Sequence, residues 1–169
     1  MKRFFTLSLL VITALFCLVQ MQSNAQQSKA ISANPIGLAF NLLNATFENK
    51  TAPTNSFTIS GNYWSIGDWK AYGFGGSYRW YFDLNDGKKP IQGMFVGPKV
   101  NVGFFSWGGS NYFTYNSQTY IGIGGEFGYK WVWSGFMLEP SLTLLIAAGS
   151  VDYVSVGAFG AGLSIGYAW

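Results

Sequence analysis

Six stretches of this chain alternate large apolar residues with small or polar ones, and that period of two restricts the available folds more than any other feature. In residues 56–64, Phe57, Ile59 and Tyr63 share one face, opposite Ser56, Thr58, Ser60 and Asn62. In residues 72–82, Tyr72, Phe74, Tyr78, Trp80 and Phe82 oppose Gly73, Gly75, Ser77, Arg79 and Tyr81. Met94, Val96, Val100, Val102 and Phe104 then oppose Gly97, Lys99, Asn101 and Gly103. Ile121, Ile123, Phe127, Tyr129, Trp131 and Trp133 oppose Gly122, Gly124, Glu126, Gly128 and Lys130. Phe136, Leu138, Leu142, Leu144 and Ile146 oppose Glu139, Ser141 and Thr143; Phe159, Leu163, Ile165, Tyr167 and Trp169 oppose Gly160, Gly162, Ser164 and Gly166. Each stretch has about the ten residues of a tilted membrane strand.

Residues 1–25 have the three parts of a secretory signal: Lys2 and Arg3, an apolar run over residues 4–19, and Ser23-Asn24-Ala25 with small residues at the −3 and −1 positions. The run is shorter than the roughly 20 residues of a spanning helix, so cleavage after Ala25 is expected, with Gln26 as the first mature residue. Bulky Phe16 before Cys17 argues against lipidation. Residues 26–169 then form one domain without cysteine, which excludes disulfides and thiolate metal sites. Removing Lys2 and Arg3 leaves eight of the ten basic residues against seven acids, a formal charge of +1, and gives no argument for nucleic acid.

The chain has 22 glycines, 19% aromatic residues and only 10% charged residues, too much apolar surface for an ordinary soluble domain. A membrane-spanning chain must satisfy its backbone internally, and with no second long apolar run a closed barrel remains. The fold expected is all-β: a single antiparallel up-and-down transmembrane β-barrel of eight strands in a bacterial outer membrane. Large residues face lipid and small or charged ones face the lumen; a soluble lipid-binding barrel, the alternative fold-level reading, would invert this. On these faces Phe127→Arg is expected to impair folding, and Gly124→Ser to be milder.

Six strands are plain, and residues 31–48 supply the other two. There the apolar phase shifts from even (Ile36, Leu38, Phe40) to odd (Leu43, Ala45, Phe47), which predicts a turn or bulge at residues 41–43. With the carboxyl terminus periplasmic, residues 107–118 and 148–156 fall outside. Residues 49–55, 83–90 (with the Asn85-Asp86-Gly87 turn signal) and 133–135 fall on the periplasmic side.

The run Ile31-Ser32-Ala33-Asn34-Pro35-Ile36-Gly37, followed by Ala45-Thr46-Phe47-Glu48, resembles the amino-terminal pattern of a family of small, functionally uncharacterised outer-membrane β-barrel proteins common in Bacteroidota. The last strand, ending on Trp169, resembles the terminal signal read by barrel-assembly machinery. The resemblance implies a barrel of the OmpA or OmpX size class and brings no activity with it.

The chain has no histidine, which removes the Ser-His and Asp-His arrangements of hydrolases and the commonest metal ligand. No enzymatic activity, cofactor or metal is expected. Residues 122–128 mimic a dinucleotide loop in spacing, but their glycines alternate within a strand. The inward faces carry three acids and three bases: Glu48, Arg79, Lys99, Glu126, Lys130 and Glu139. In a lumen just wide enough for its own side chains these are expected to form compensating ion pairs that plug the barrel, with a narrow pore for ions or small solutes as the alternative. Trp80, Trp107, Trp131, Trp133, Tyr167 and Trp169 are expected in the aromatic girdles at the membrane interfaces. The expected role is structural or surface-interacting. Its contacts are outer-membrane lipids and lipopolysaccharide, the assembly machinery during biogenesis, and an extracellular partner reached through outer loops that include Tyr112, Phe113 and Tyr115.

Overall fold

A computed structural model describes residues 27–82, 91–108, 115–149 and 157–169. The expected leader (residues 1–25), the expected turn at residues 83–90, and residues 109–114 and 150–156 of the expected outer loops lie outside the described residues. The chain forms β1 (Lys29–Ala33), a one-turn helix α1 (Pro35–Ala39), β2 (Leu42–Ala52), β3 (Asn55–Ile66), β4 (Trp69–Phe82), β5 (Gly93–Gly108), β6 (Tyr115–Trp133), β7 (Phe136–Gly149) and β8 (Gly157–Ala168). The strands close in sequence order into an antiparallel eight-stranded barrel, with β1 paired to both β2 and β8.

The register fixes the barrel's geometry. Ile31 pairs with Phe47, and the ladder then passes through Ile59, Gly76, Val100, Ile123 and Ile146 to Gly157. Yet the β8 partner of Ile31 is Tyr167, so the circuit closes with a stagger of ten residues. Ten residues of ~3.3 Å rise over eight strand spacings of ~4.8 Å tilt the strands by roughly 40°.

The alternation places the faces as the sequence predicts. Phe74 and Ile123, each 64% exposed, stand on the outside, while Ser56, Thr58, Ser77 and Arg79 are buried in the lumen. The turns β2–β3 and β6–β7 and both termini of the barrel lie at one end, where the Trp169 carbonyl accepts from the amides of Ser28 and Lys29. A small buried apolar cluster of Ala30, Ile91, Met137 and Ala168, with Val132 against it, lies toward this end. Phe95, fully buried, packs on the Tyr81 ring with centroids 5.5 Å apart.

The phase shift after β1 comes from a helical turn whose exit is at Asn41, where a turn or bulge is expected. The chain leaves β1 at Ala33 and makes α1: Asn34 caps it by accepting from the Gly37 amide (3.0 Å), and Pro35 supplies a preset φ at its first position. Asn41, with φ 57°, ends the excursion, and β2 begins at Leu42. Asparagine is among the few non-glycine residues that tolerate this left-handed conformation.

At Gly124, where serine is expected to be milder than Phe127→Arg, the structure adds a steric cost that the assignment of faces does not show. A Cβ on Gly124 would run into the Leu144 carbonyl oxygen and lie 2.9 Å from Leu145 Cα. The adjacent backbone occupies the side-chain position, one of the uses of glycine within a strand. Gly124→Ser is therefore expected to cost about 1–3 kcal/mol of strain, read as a lower denaturant midpoint after refolding in lipid.

Candidate functional site

The candidate site is the charged belt across the lumen, and the strand pairing explains how large ionic side chains fit inside a narrow barrel. Each has small residues opposite it: Glu48 faces Thr58, Arg79 faces Ser56, Lys99 faces Ser77 and Gly124, Glu126 faces Gly97 and Thr143, Lys130 faces Gly93, and Glu139 faces Ser164. The volume saved on one strand is filled by the charge on its neighbour.

All six predicted charges meet. Arg79, on β4, is the hub. Its Nη1 donates to Glu48 Oε2 (2.9 Å), its Nε to Glu126 Oε1 (2.5 Å), and it holds Glu139 in a two-point grip at 3.0 and 3.1 Å. Lys130 pairs with Glu48 and, at 3.0 Å, with Glu139; Lys99 donates to Glu126 Oε2 at 2.8 Å. Glu48, Arg79, Glu126, Lys130 and Glu139 are each no more than 3% exposed. Buried charges are tolerable only when paired and hydrogen-bonded, and here three bases neutralise three acids.

Neutral groups complete the belt. Ser56 Oγ (2.5 Å) and the Tyr81 hydroxyl (2.6 Å) donate to Glu48, Ser77 Oγ donates to Glu126 (2.5 Å), and Thr58 and Ser77 share a hydrogen bond of 2.6 Å. The Arg79 guanidinium lies 4.2 Å from the Phe95 ring centroid, and Lys130 Nζ lies 5.6 Å from that of Tyr81. Sequence reading missed Phe95, Ile91 and Met137. The alternation was the available signal for two of them: Phe95 lies between outward Met94 and Val96, and Met137 between Phe136 and Leu138.

A polar cavity of about 220 Å³ lies on one side of the belt. Arg79, Lys99, Glu126 and Glu139 line it together with amide and hydroxyl side chains, including Asn34, Asn44, Asn62 and Asn101. Every carboxylate in the belt is engaged by a base, so neither Glu126 nor Glu139 stands free beside a nucleophile. Among the described residues no group of three or more candidate ligands is placed to hold a metal ion.

The predicted girdle divides. Trp80, Trp131, Trp133 and Trp169 are exposed on the outer face, with the Trp131 and Trp133 rings stacked at 6.3 Å and Trp133 followed by Phe136 at 6.2 Å. They ring the end that carries the chain termini. Trp107 belongs to the opposite end of β5; only its backbone is described, paired with Trp69 and Asn116. Tyr167 differs from expectation: it is only 8% exposed, because the β6–β7 turn at Gly135 lies against its ring.

The fold is shared with solved outer-membrane proteins. The amino-terminal β-barrel domain of Pseudomonas aeruginosa OprF matches with a TM-score of 0.55 and 16% identity, covering 85% of this chain and 98% of that one. The Yersinia pestis attachment invasion locus protein Ail matches in its crystal structure with a TM-score of 0.54 and 9% identity, covering 86% and 100%. In a phospholipid nanodisc Ail matches with a TM-score of 0.51 and 14% identity, covering 85% and 99%. At these identities the likeness establishes the barrel architecture. No curated protein matches the chain. The family described as "Protein of unknown function (DUF3575)" matches residues 10–153, and the chain belongs to that family.

Proposed function

We propose that the protein is a bacterial outer-membrane barrel with a sealed lumen, serving the structure of the envelope or surface contacts rather than solute passage or catalysis. The belt centred on Arg79 carries this reading: a fully paired, buried ionic crossing leaves no unengaged charge to lead an ion through. The apolar outer face suits lipid, including lipopolysaccharide, and the tryptophans suit an interface. In this reading residues 1–25 direct export and are removed after Ala25, assembly machinery inserts the barrel, and an extracellular partner is met through the outer loops. The resemblance to Bacteroidota barrels agrees with such a source.

Two measurements test the proposal. The mature protein is expected to remain with the outer-membrane fraction after carbonate washing and to migrate differently on a gel before and after heating. In a planar bilayer the purified barrel is expected to show no steady conductance. Release into the soluble fraction would sink the membrane placement, and a steady current abolished by Glu126→Gln would establish the narrow pore instead.

A further inference from the structure

The barrel wall is incomplete as a β-ladder at one place. Among the described residues β1 pairs with β8 only through Ala30–Ala168, Ile31–Tyr167, Ser32–Gly166 and Ala33–Ile165, so residues 157–164 of β8 have β7 on one side and no described strand on the other. Likewise residues 42–45 of β2 pair only with β3. In the gap stands α1. It is tied to β2, where the Asn34 amide donates to Asn44 Oδ1 at 2.7 Å, and it packs against β8 as well, filling the gap without continuing the ladder. The polar cavity lies directly behind this seam, since Asn34, Asn44, Gly160 and Gly162 are part of its wall.

The outside of the seam is strongly apolar. Ile36, Leu38 and Phe40, from α1 and its end, and Phe159 on the open part of β8 are all more than half exposed, and none lines the cavity. A strand edge without a partner is costly in hydrocarbon, because its amides and carbonyls find no water there. An occupant that brings hydrogen-bonding groups into the seam would give that edge partners, while its chain lies against the four apolar residues as the surrounding lipid does. The cavity holds the volume of roughly seven waters, near that of a glycerol or single-sugar head. Its charged walls are two bases and two acids already paired, while its amides and hydroxyls can both donate and accept.

We propose that the seam between α1 and β8 admits a membrane amphiphile with an uncharged, hydroxyl-rich head, which docks in the lumen cavity while its acyl chain stays on the lipid face. The inference rests on the membrane placement proposed above. Gly162 offers a control point: a Cβ there meets only Asn34 Nδ2 at 3.5 Å and Ser141 Oγ at 3.6 Å, ordinary contacts, so a larger side chain enters the cavity mouth without striking backbone.

The test uses the protein in phosphatidylcholine vesicles containing a small fraction of monogalactosyl diacylglycerol with a photoreactive diazirine on the sugar. A parallel sample carries the diazirine at the end of an acyl chain. The acyl-chain probe reports membrane insertion by labelling Phe74 and Ile123, independently of the seam. The sugar probe is expected to label the cavity wall at Asn62, Asn101 or Ser141, and Gly162→Leu, checked for folding by its heat-modifiable migration, is expected to lose most of that labelling. Sugar-probe labelling confined to outward residues overturns the inference while leaving the membrane barrel intact. Cavity labelling abolished by free galactose but unchanged by Gly162→Leu would also overturn it, since the ligand would then arrive from water. Absence of labelling at Phe74 and Ile123 would overturn the membrane placement and this inference with it.

Discussion

Arg79→Ala is expected to produce the largest loss of stability of any single substitution in the barrel, about 3–5 kcal/mol, read as a fall in denaturant midpoint in lipid or detergent. Arg79 engages Glu48, Glu126 and Glu139 at once, and its removal leaves three buried carboxylates to two lysines. The remaining pairs are unequal: Lys99 still serves Glu126, whereas Glu48 and Glu139 must share Lys130. The specific consequence is a partial rescue. Arg79→Ala combined with Glu139→Gln restores two acids to two bases and is expected to be more stable than Arg79→Ala alone, since contacting residues are not additive. Arg79→Lys is expected to rescue poorly, because an ammonium cannot reproduce the forked grip on Glu139 while also reaching two further carboxylates. Asp68→Asn in the exposed β3–β4 turn is the control and should change the midpoint little. If the double variant is as unstable as the sum of its singles, the belt is not one coupled unit.

Phe127→Arg is expected to cost roughly 2–4 kcal/mol and to lower the yield of folded barrel in vesicles, because it sets a cation on the lipid face. Phe127 is 48% exposed, lies beside Val96 on β5 and Leu142 on β7, and is flanked in sequence by buried Glu126 and Gly128. Turning the new charge inward would need a one-residue slip of β6, which would expel Glu126 and Lys130 from the belt. The penalty should therefore be larger in bilayers than in a soluble micelle of small detergent, where water approaches the belt's exterior more closely. Equal refolding of Phe127→Arg and the parent chain in vesicles would mean that this face does not meet lipid.

The inside and the outside of the barrel were legible in the sequence because the period of a strand is local: Phe127 outside and Glu126 inside follow from adjacent positions once a strand is recognised. The number of strands followed from the lengths and turns, and the six lumen charges from their parity. What the sequence could not determine is which of these charges meet. Glu48, Arg79, Glu126 and Glu139 lie on four different strands, and whether they stand at one depth depends on the ten-residue stagger that appears only when β8 closes on β1. The same closure decided the wall at α1, where a phase shift readable as a turn or a bulge is a helical turn filling a gap in the ladder. It also made Gly124 a point of close backbone approach rather than a spacious lumen position, since a carbonyl of the neighbouring strand stands where a Cβ would go. Alternation is set between adjacent residues, whereas depth, closure and curvature are set by how distant strands register, and those properties belong to the tertiary structure alone.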